Sequence, residues 1–186
     1  MSFLQNLCLQ RELRARIAKT HSRLYRVAYA WGHDADLAAE LVQETMAKAL
    51  HKVSQLREPE KLDSWLFGIL TNCWRDHFRR QRDFVDVDEV RLIDETTPEG
   101  LHHRQDVIEQ VRNAVSRLSE GQRHVVTLVD LEGFSYTEVA NILGIPVGTV
   151  MSRLSRARNQ LAQMLLAKRP ESERNTNMKL RSISGA

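Results

Sequence analysis

The sequence predicts an all-α fold of two small helical domains, joined by an acidic linker, with the second a helix-turn-helix. Three observations predict it. Apolar residues recur at helical rather than alternating spacing, and runs that read as strands are nearly absent. Glycine and proline are scarce, 8 and 4 residues, and most fall between the periodic segments. Helical periodicity also fails once, over "DFVDVDEVRLIDETTPEG" at 83–100, which carries seven acids against one arginine.

A first helix over roughly 11–31 follows from the stripe Leu13, Ile17, Leu24, Val27, Ala28 and Trp31. "GHDAD" breaks it. A second, over 35–53, turns Leu37, Leu41, Val42, Thr45, Met46, Ala49 and Leu50 inward. Its outward strip is Asp36, Glu40, Gln43, Glu44 and Ala47, one polar face with three carboxylates. After the loop "SQLREPEKLD", Asp63 or Ser64 can cap a third helix over 64–82. Trp65, Leu66, Ile69, Leu70, Cys73 and Phe78 form its core side, and Gly68, Asn72, Arg75, Asp76 and Arg79 its outer strip. These helices make an N-terminal domain over 1–82, followed by a flexible linker over 83–105.

Four shorter helices make a C-terminal domain over 106–169. The first (106–118) turns Val107, Val111, Val115 and Leu118 inward. Ser119 with Gln122, and Ser135 with Glu138, are capping boxes that open the second and third. The fourth starts at 147 and reaches about 168. Residues 170–186 read as a polar, disordered tail.

The last two helices, 136–143 and 147–161, are joined by Gly144-Ile145-Pro146. Gly144 can adopt positive φ to end one helix, and Pro146 fixes φ at the entrance to the next. Ala140 is small, as a close helix crossing needs. This is the helix-turn-helix arrangement, whose second helix enters a major groove. Period assigns Val147, Val150, Leu154, Ala157, Leu161 and Leu165 to the core. Gly148, Ser152, Ser155, Arg156 and Asn159 then face outward, flanked by Arg153 and Arg158. Arginine pairs bidentately with guanine, and serine bonds either base type or the backbone. Thr149 and the free N–H groups of the helix start add phosphate affinity.

Charge supports a polyanionic partner through its distribution rather than its total. The 186 residues carry a net charge of only +3. However, 147–169 holds five Lys/Arg and no acid, and "WRDHFRRQR" at 74–82 holds four arginines against one aspartate. Apolar runs fall short of the ~18–20 residues needed to cross a bilayer, and the N-terminus lacks the pattern of a signal peptide. Two cysteines, Cys8 and Cys73, fit a reducing cytoplasm. Cys73 and His77 sit four apart but supply only two ligands, so neither a metal nor a cofactor is expected. The seven histidines are scattered and read mostly as surface residues. There is no P-loop and no Gly-x-Ser-x-Gly elbow, so the reading is not an enzyme.

"LSEGQRHVVTLVDLEGFSYTEVANILGIPVGTVMSRLSRARNQL" closely resembles the second conserved domain of extracytoplasmic-function sigma factors, promoter-specificity subunits of bacterial RNA polymerase. "ADLAAELVQETMAKAL" and "LDSWLFGILTNCWRDHFRRQR" resemble their first conserved domain, in the same order. The resemblance implies that Asp36, Glu40, Gln43 and Glu44 dock on the clamp coiled coil of the largest polymerase subunit, with the second-subunit flap as a further partner. It implies that Asn72 reads a base of the melted −10 element, and that Arg75, Arg79, Arg80 and Arg82 hold the displaced strand. The loop "QLREPEKL" falls where the family captures a flipped base, and Trp65 matches a family tryptophan, read here as core packing. Thr149, Ser152, Arg153, Ser155, Arg156, Arg158 and Asn159 then fall on the −35 element. The acidic linker fits the polymerase's basic RNA path. Promoter DNA, core polymerase and an anti-sigma factor are the implied partners, in the cytoplasm or held at the inner membrane by that factor.

One departure stands out. Met151 occupies a position commonly Lys or Arg in "GTVxSRL" motifs, and an apolar contact with a thymine methyl is the alternative it offers. Two rival readings remain at this stage: a stand-alone helix-turn-helix regulator, and a helical enzyme using Cys73 and His77.

Overall fold

A computed structural model of the chain describes residues 3–56, 58–84 and 103–167. Most of the predicted linker, the tail and Arg57 in the predicted base-capturing loop lie outside the described residues, as does the Arg82 side chain. All regular structure among the described residues is helical. α1 (Phe3–Gly32), α2 (Ala35–Lys52) and α3 (Leu62–Phe84) form the N-terminal unit, with short 3₁₀ turns at Val53–Gln55 and Pro59–Lys61 between α2 and α3. α4 (His103–Ser116), α5 (Glu120–Val126), α6 (Tyr136–Leu143) and α7 (Val147–Ala167) form the C-terminal unit. A π-helical turn, Thr127–Leu131, continues α5.

Local chemistry sets the helix ends. His33 closes α1 in the left-handed region (φ 53°), donating its N–H to the Tyr29 carbonyl at 2.7 Å. Asp34 then caps α2, its carboxylate accepting the Asp36 and Leu37 N–H groups at 2.9 Å each. Both expected capping boxes are present, at Ser119/Gln122 and Ser135/Glu138. Gly144 ends α6 at φ 61°, the conformation that the sequence reading required of it.

The predicted stripe of α1 is buried in full, from Leu13 to Trp31. Against it pack Leu37, Leu41, Val42 and Ala49 of α2 and Leu66, Leu70 and Cys73 of α3. Two threonines inside this core, Thr45 and Thr71, return their hydroxyls to the carbonyls four residues back, at 2.7 and 2.9 Å. No polar atom of theirs is therefore stranded in the core.

Four positions differ from the period-based reading. Val107 and Val111 are 55% and 41% exposed, because α4 turns Ala114 inward, while Leu118 just beyond it is buried as expected. Leu50 and Val147 are also exposed, each within a turn of an end of its helix. His124, one of seven histidines read mostly as surface residues, is buried at 8% exposure. Trp74, whose role the sequence left open, is buried beside it at 4%.

The larger difference is that the two units pack on each other. The Phe67 and Phe134 rings meet edge-to-face at 5.1 Å. The buried Trp31 indole N–H donates to Thr127 Oγ1 at 2.8 Å. Trp74 Nε1 donates to Glu120 Oε1 at the same distance. Arg23 Nε donates to Glu132 at 2.8 Å, and Arg75 donates to the Leu143 carbonyl at the end of α6. Gly32 makes room for this seam: a Cβ there would stand 3.3 Å from the Trp74 ring.

Candidate nucleic-acid and polymerase interface

The helix-turn-helix is built as its turn residues dictate. Gly144 reverses the chain, the Ile145 N–H bonds back to the Ala140 carbonyl at 3.0 Å, and Pro146 leads into α7. Val150, Leu154 and Ala157 anchor α7 in the core at 0%, 2% and 0% exposure. That fixes the rotation of the helix. Gly148, Ser152, Ser155, Arg156 and Asn159 consequently face solvent, as the period predicted. Val147 and Met151 join them, at 39% and 53% exposure, one turn apart. Arg156 lies along the helix, with Nε 3.2 Å from the Ser152 carbonyl. Its Nη2 is 3.4 Å from Ser152 Oγ.

The two flanking arginines are held by neighbouring elements. Arg153 is half-buried and lies across the start of α5, where a Cβ on Gly121 would meet its Nη1 at 2.9 Å. Arg158 forms a two-pronged pair with Asp130, one contact being 3.1 Å. The sequence showed α7 to be free of acids; the π turn brings one to it. Thr149 is half-buried in the first turn of α7, and its N–H bonds to the Pro146 carbonyl at 2.9 Å.

On the N-terminal unit, Asn72, Arg75, Arg79 and Arg80 are exposed along α3. Asn72, Arg75 and Arg79 line a cavity of about 410 Å³ together with Lys48, Lys52, Ile69 and Asp76. This volume lies in the range that holds a small organic ligand or a single base. Lys48 and Lys52 were missed at the sequence level. Their signal was present as two lysines one turn apart on α2, but only the packing angle of α2 on α3 carries them to the α3 strip. Trp65, half-buried, packs against the core, as the sequence reading favoured.

Charges across the α2–α3 junction form a network. Lys48 Nζ sits 2.9 Å from Glu44 and 3.9 Å from Asp76. Arg79 reaches Asp76 at 3.1 Å and Arg80 reaches Glu44 at 3.4 Å. The hydrogen bond from Lys48, with the added field of Arg80, holds the Glu44 carboxyl below its ordinary pKa. Glu44 thus faces α3, whereas Asp36, Glu40, Gln43, Ala47 and Leu50 form an exposed row along α2. The polymerase-docking set predicted from sequence divides accordingly: Asp36, Glu40 and Gln43 are together, and Glu44 bridges to Arg80 of α3. Cys73 is fully buried with its Sγ 3.6 Å from Lys48 Nζ. Among the described residues, no cluster of three or more His, Cys, Asp or Glu has metal-binding geometry. Nor is any described helix long and apolar enough to cross a membrane.

Two family models match the chain, one on each unit. Residues 17–84 match the family model for sigma-70 region 2, and residues 108–161 match that for sigma-70 region 4. The chain is 37% identical over 134 residues to the ECF RNA polymerase sigma factor EcfG of Rhodopseudomonas palustris, covering 71% of this chain and 73% of that protein. It is 31% identical over 138 residues to the RNA polymerase sigma factor SigV of Bacillus subtilis, covering 72% of this chain and 78% of that one. Among solved structures it resembles the sigma factor RpoE of Bartonella quintana, crystallised in complex with the anti-sigma factor NepR. That match has a TM-score of 0.67 and 30% identity, over 85% of this chain and 99% of the other. With a region 2 unit, a region 4 helix-turn-helix and relatives of this similarity, the chain belongs to the ECF RNA polymerase sigma factors, which bind core polymerase and direct it to promoters.

Proposed function

We propose that the two exposed cationic sites divide the promoter between them. The α7 face takes the −35 duplex, and the α3 strip with its cavity takes a base and the backbone of the melted −10 strand. The observation that carries this reading is the pairing of two chemically different sites on one chain. α7 offers a convex helix face with serine, asparagine and arginine, suited to base edges in a major groove. The α3 cavity offers a concave pocket with an amide, an apolar floor at Ile69 and four cationic side chains, suited to an unstacked base and its phosphates. A stand-alone regulator of duplex DNA has no use for the second site.

Within α7, Ser152, Ser155, Arg156 and Asn159 read base edges, and Val147 with Met151 forms an apolar step against thymine methyls. Thr149, Arg153 and Arg158 serve the backbone, Arg153 and Arg158 after leaving their present partners. On α2, the row Asp36, Glu40 and Gln43 docks on the clamp coiled coil of the largest polymerase subunit, and Glu44 links that contact to Arg80 and Lys48. The C-terminal unit meets the second-subunit flap. The acidic segment 83–100 tethers the units through the polymerase's RNA path. The chain works in the cytoplasm as a binding and remodelling factor, not an enzyme, and the polymerase performs the phosphodiester chemistry. An anti-sigma factor of the kind that accompanies the Bartonella relative holds it idle.

The test is transcription in vitro by purified core polymerase, with and without this chain, from a randomised promoter library. The reading predicts RNA from a subset of templates sharing a two-part element. It fails if the chain alone binds the same templates as tightly as the holoenzyme does, or if a shared element has one part only.

A further inference from the structure

The seam between the two units is unbalanced in charge. The His124 ring lies between the indoles of Trp31 and Trp74, at centroid distances of 4.2 and 5.5 Å. Its Nε2 is buried and has no hydrogen-bond partner among the described residues. Glu120 Oε1 is 3.9 Å away, but that oxygen already accepts the Trp74 indole N–H at 2.8 Å. The other charged groups facing His124 are all cationic: Arg75 from α3, Arg123 from its own helix, and Arg153 from α7. From α1 comes the uncharged Trp31. A second histidine repeats the pattern. His33, at the end of α1 beside the capping carboxylate of Asp34, has a buried Nε2 without a partner and faces the same Arg123. Arg123 Nε is itself buried and unpartnered among the described residues. Two imidazoles and three guanidiniums therefore meet two carboxylates, Glu120 and Asp34, both already engaged. The seam's other ionic contact is that of Arg23 and Arg26 with Glu132.

Buried polar atoms usually find partners, and buried charge needs an opposite charge. Here a proton on His124 would add a fourth positive charge to a pocket walled by two indoles. We propose that the seam is a proton-operated latch: it holds the units together while His124 is neutral, and protonation of His124 drives them apart. Opening would release Arg75 from the Leu143 carbonyl and uncover the C-terminal end of α6. The consequence for −10 binding rests on the role given to Arg75 above; the latch itself does not.

The direction follows from linkage. Burial first, then the positive charges of Arg123, Arg75 and Arg153, push the His124 pKa down to about 3 in the closed form. Burial and Arg123 lower that of His33 as well. Once the units part, His124 returns to water and an ordinary value of about 6.5. The stability that neutral His124 lends the closed form is complete above about 6.5 and is lost as pH falls toward 3. The closed-to-open ratio changes by roughly tenfold per pH unit in that window.

The experiment is exchange of the Trp31 indole proton in the full chain by NMR between pH 7.5 and 5.5, each rate divided by that of a free tryptophan derivative at the same pH. That proton is held by Thr127 across the seam and exchanges only on opening. From pH 7.5 to 5.5 the opening constant should rise roughly tenfold through His124, and further if His33 follows. His124→Phe, which keeps a ring between the indoles, should remove that tenfold; His124→Gln serves the same purpose if the phenylalanine variant does not fold. The backbone amides of Leu24, Leu41 and Leu154, inside the two units, should stay protected throughout. A flat profile in the wild type would overturn the latch, as would an unchanged profile in the neutral variants. Amides that lose protection in step with the indole would also overturn it, because the event would then be unfolding. None of these readings depends on polymerase or promoter.

Discussion

Gly148 stands where helix chemistry argues against it. It occupies the second residue of α7, is exposed, and a Cβ built there meets nothing within 4 Å. Its φ is not in the left-handed region, so neither space nor conformation demands glycine. Alanine should stabilise the helix by about 0.5–1 kcal/mol, less any discount for the first turn. For a chain of 186 residues that is a rise in Tm of about 1–4 °C. What a methyl would obstruct is close approach of the α7 backbone to a groove. Gly148→Ala is therefore expected to melt higher in a thermal scan and to weaken holoenzyme binding to a −35 duplex by tenfold or more, about 1.4 kcal/mol. Fluorescence anisotropy with labelled duplex measures the second quantity. A variant that is more stable and binds as well as wild type would refute the placement of the α7 N-terminus against DNA. A variant that is less stable would refute the reasoning about Gly148 itself.

The α2 row and the seam give two more tests. Glu40→Arg reverses an exposed charge and should leave stability within about 0.5 kcal/mol, while weakening core polymerase binding at least tenfold by competition against wild type; unchanged affinity removes this face from the docking surface. Thr127→Val deletes the acceptor of the Trp31 indole N–H with little change in volume. It should cost about 1–3 kcal/mol in urea denaturation, and a loss near zero would mean that water enters the seam. Replacing −35 thymines by uracil removes only methyl groups. At about 0.8 kcal/mol per buried carbon, the one that Met151 covers should cost roughly fourfold in affinity. Met151→Ala should lose that discrimination, and equal sensitivity in both proteins would show that Met151 touches no methyl.

How much of this was legible in the sequence depended on how locally each feature is determined. Caps and turns are set by a few adjacent residues, so Ser119/Gln122, Ser135/Glu138 and Gly144 were read correctly from four-residue windows. The α1 stripe was legible because it repeats over several turns. Val107 and Val111 were misplaced because they and Ala114 are all apolar, and period alone does not say which of two adjoining stripes meets the core. The seam was invisible for a different reason. Phe67, Trp74, His124 and Phe134 carry no mark distinguishing burial inside a unit from burial between units. Their partners are also far away in sequence, 96 residues for Trp31 and Thr127. The same holds for the cavity: Asn72 and the arginines were found on one helix, whereas Lys48 and Lys52 needed the α2–α3 packing angle.

We propose that one chain holds two promoter elements at once, and that the units part to reach both. Residues 85–102, eighteen in number, can span at most about 60 Å when extended, so the units can part widely without breaking the chain. Energy transfer between dyes at Lys19 of α1 and Gln163 of α7, both exposed, reports that separation. Transfer should be high in the free protein and should fall steeply on forming the holoenzyme–promoter complex, in step with RNA synthesis. Undiminished transfer in a complex that is making RNA would contradict it.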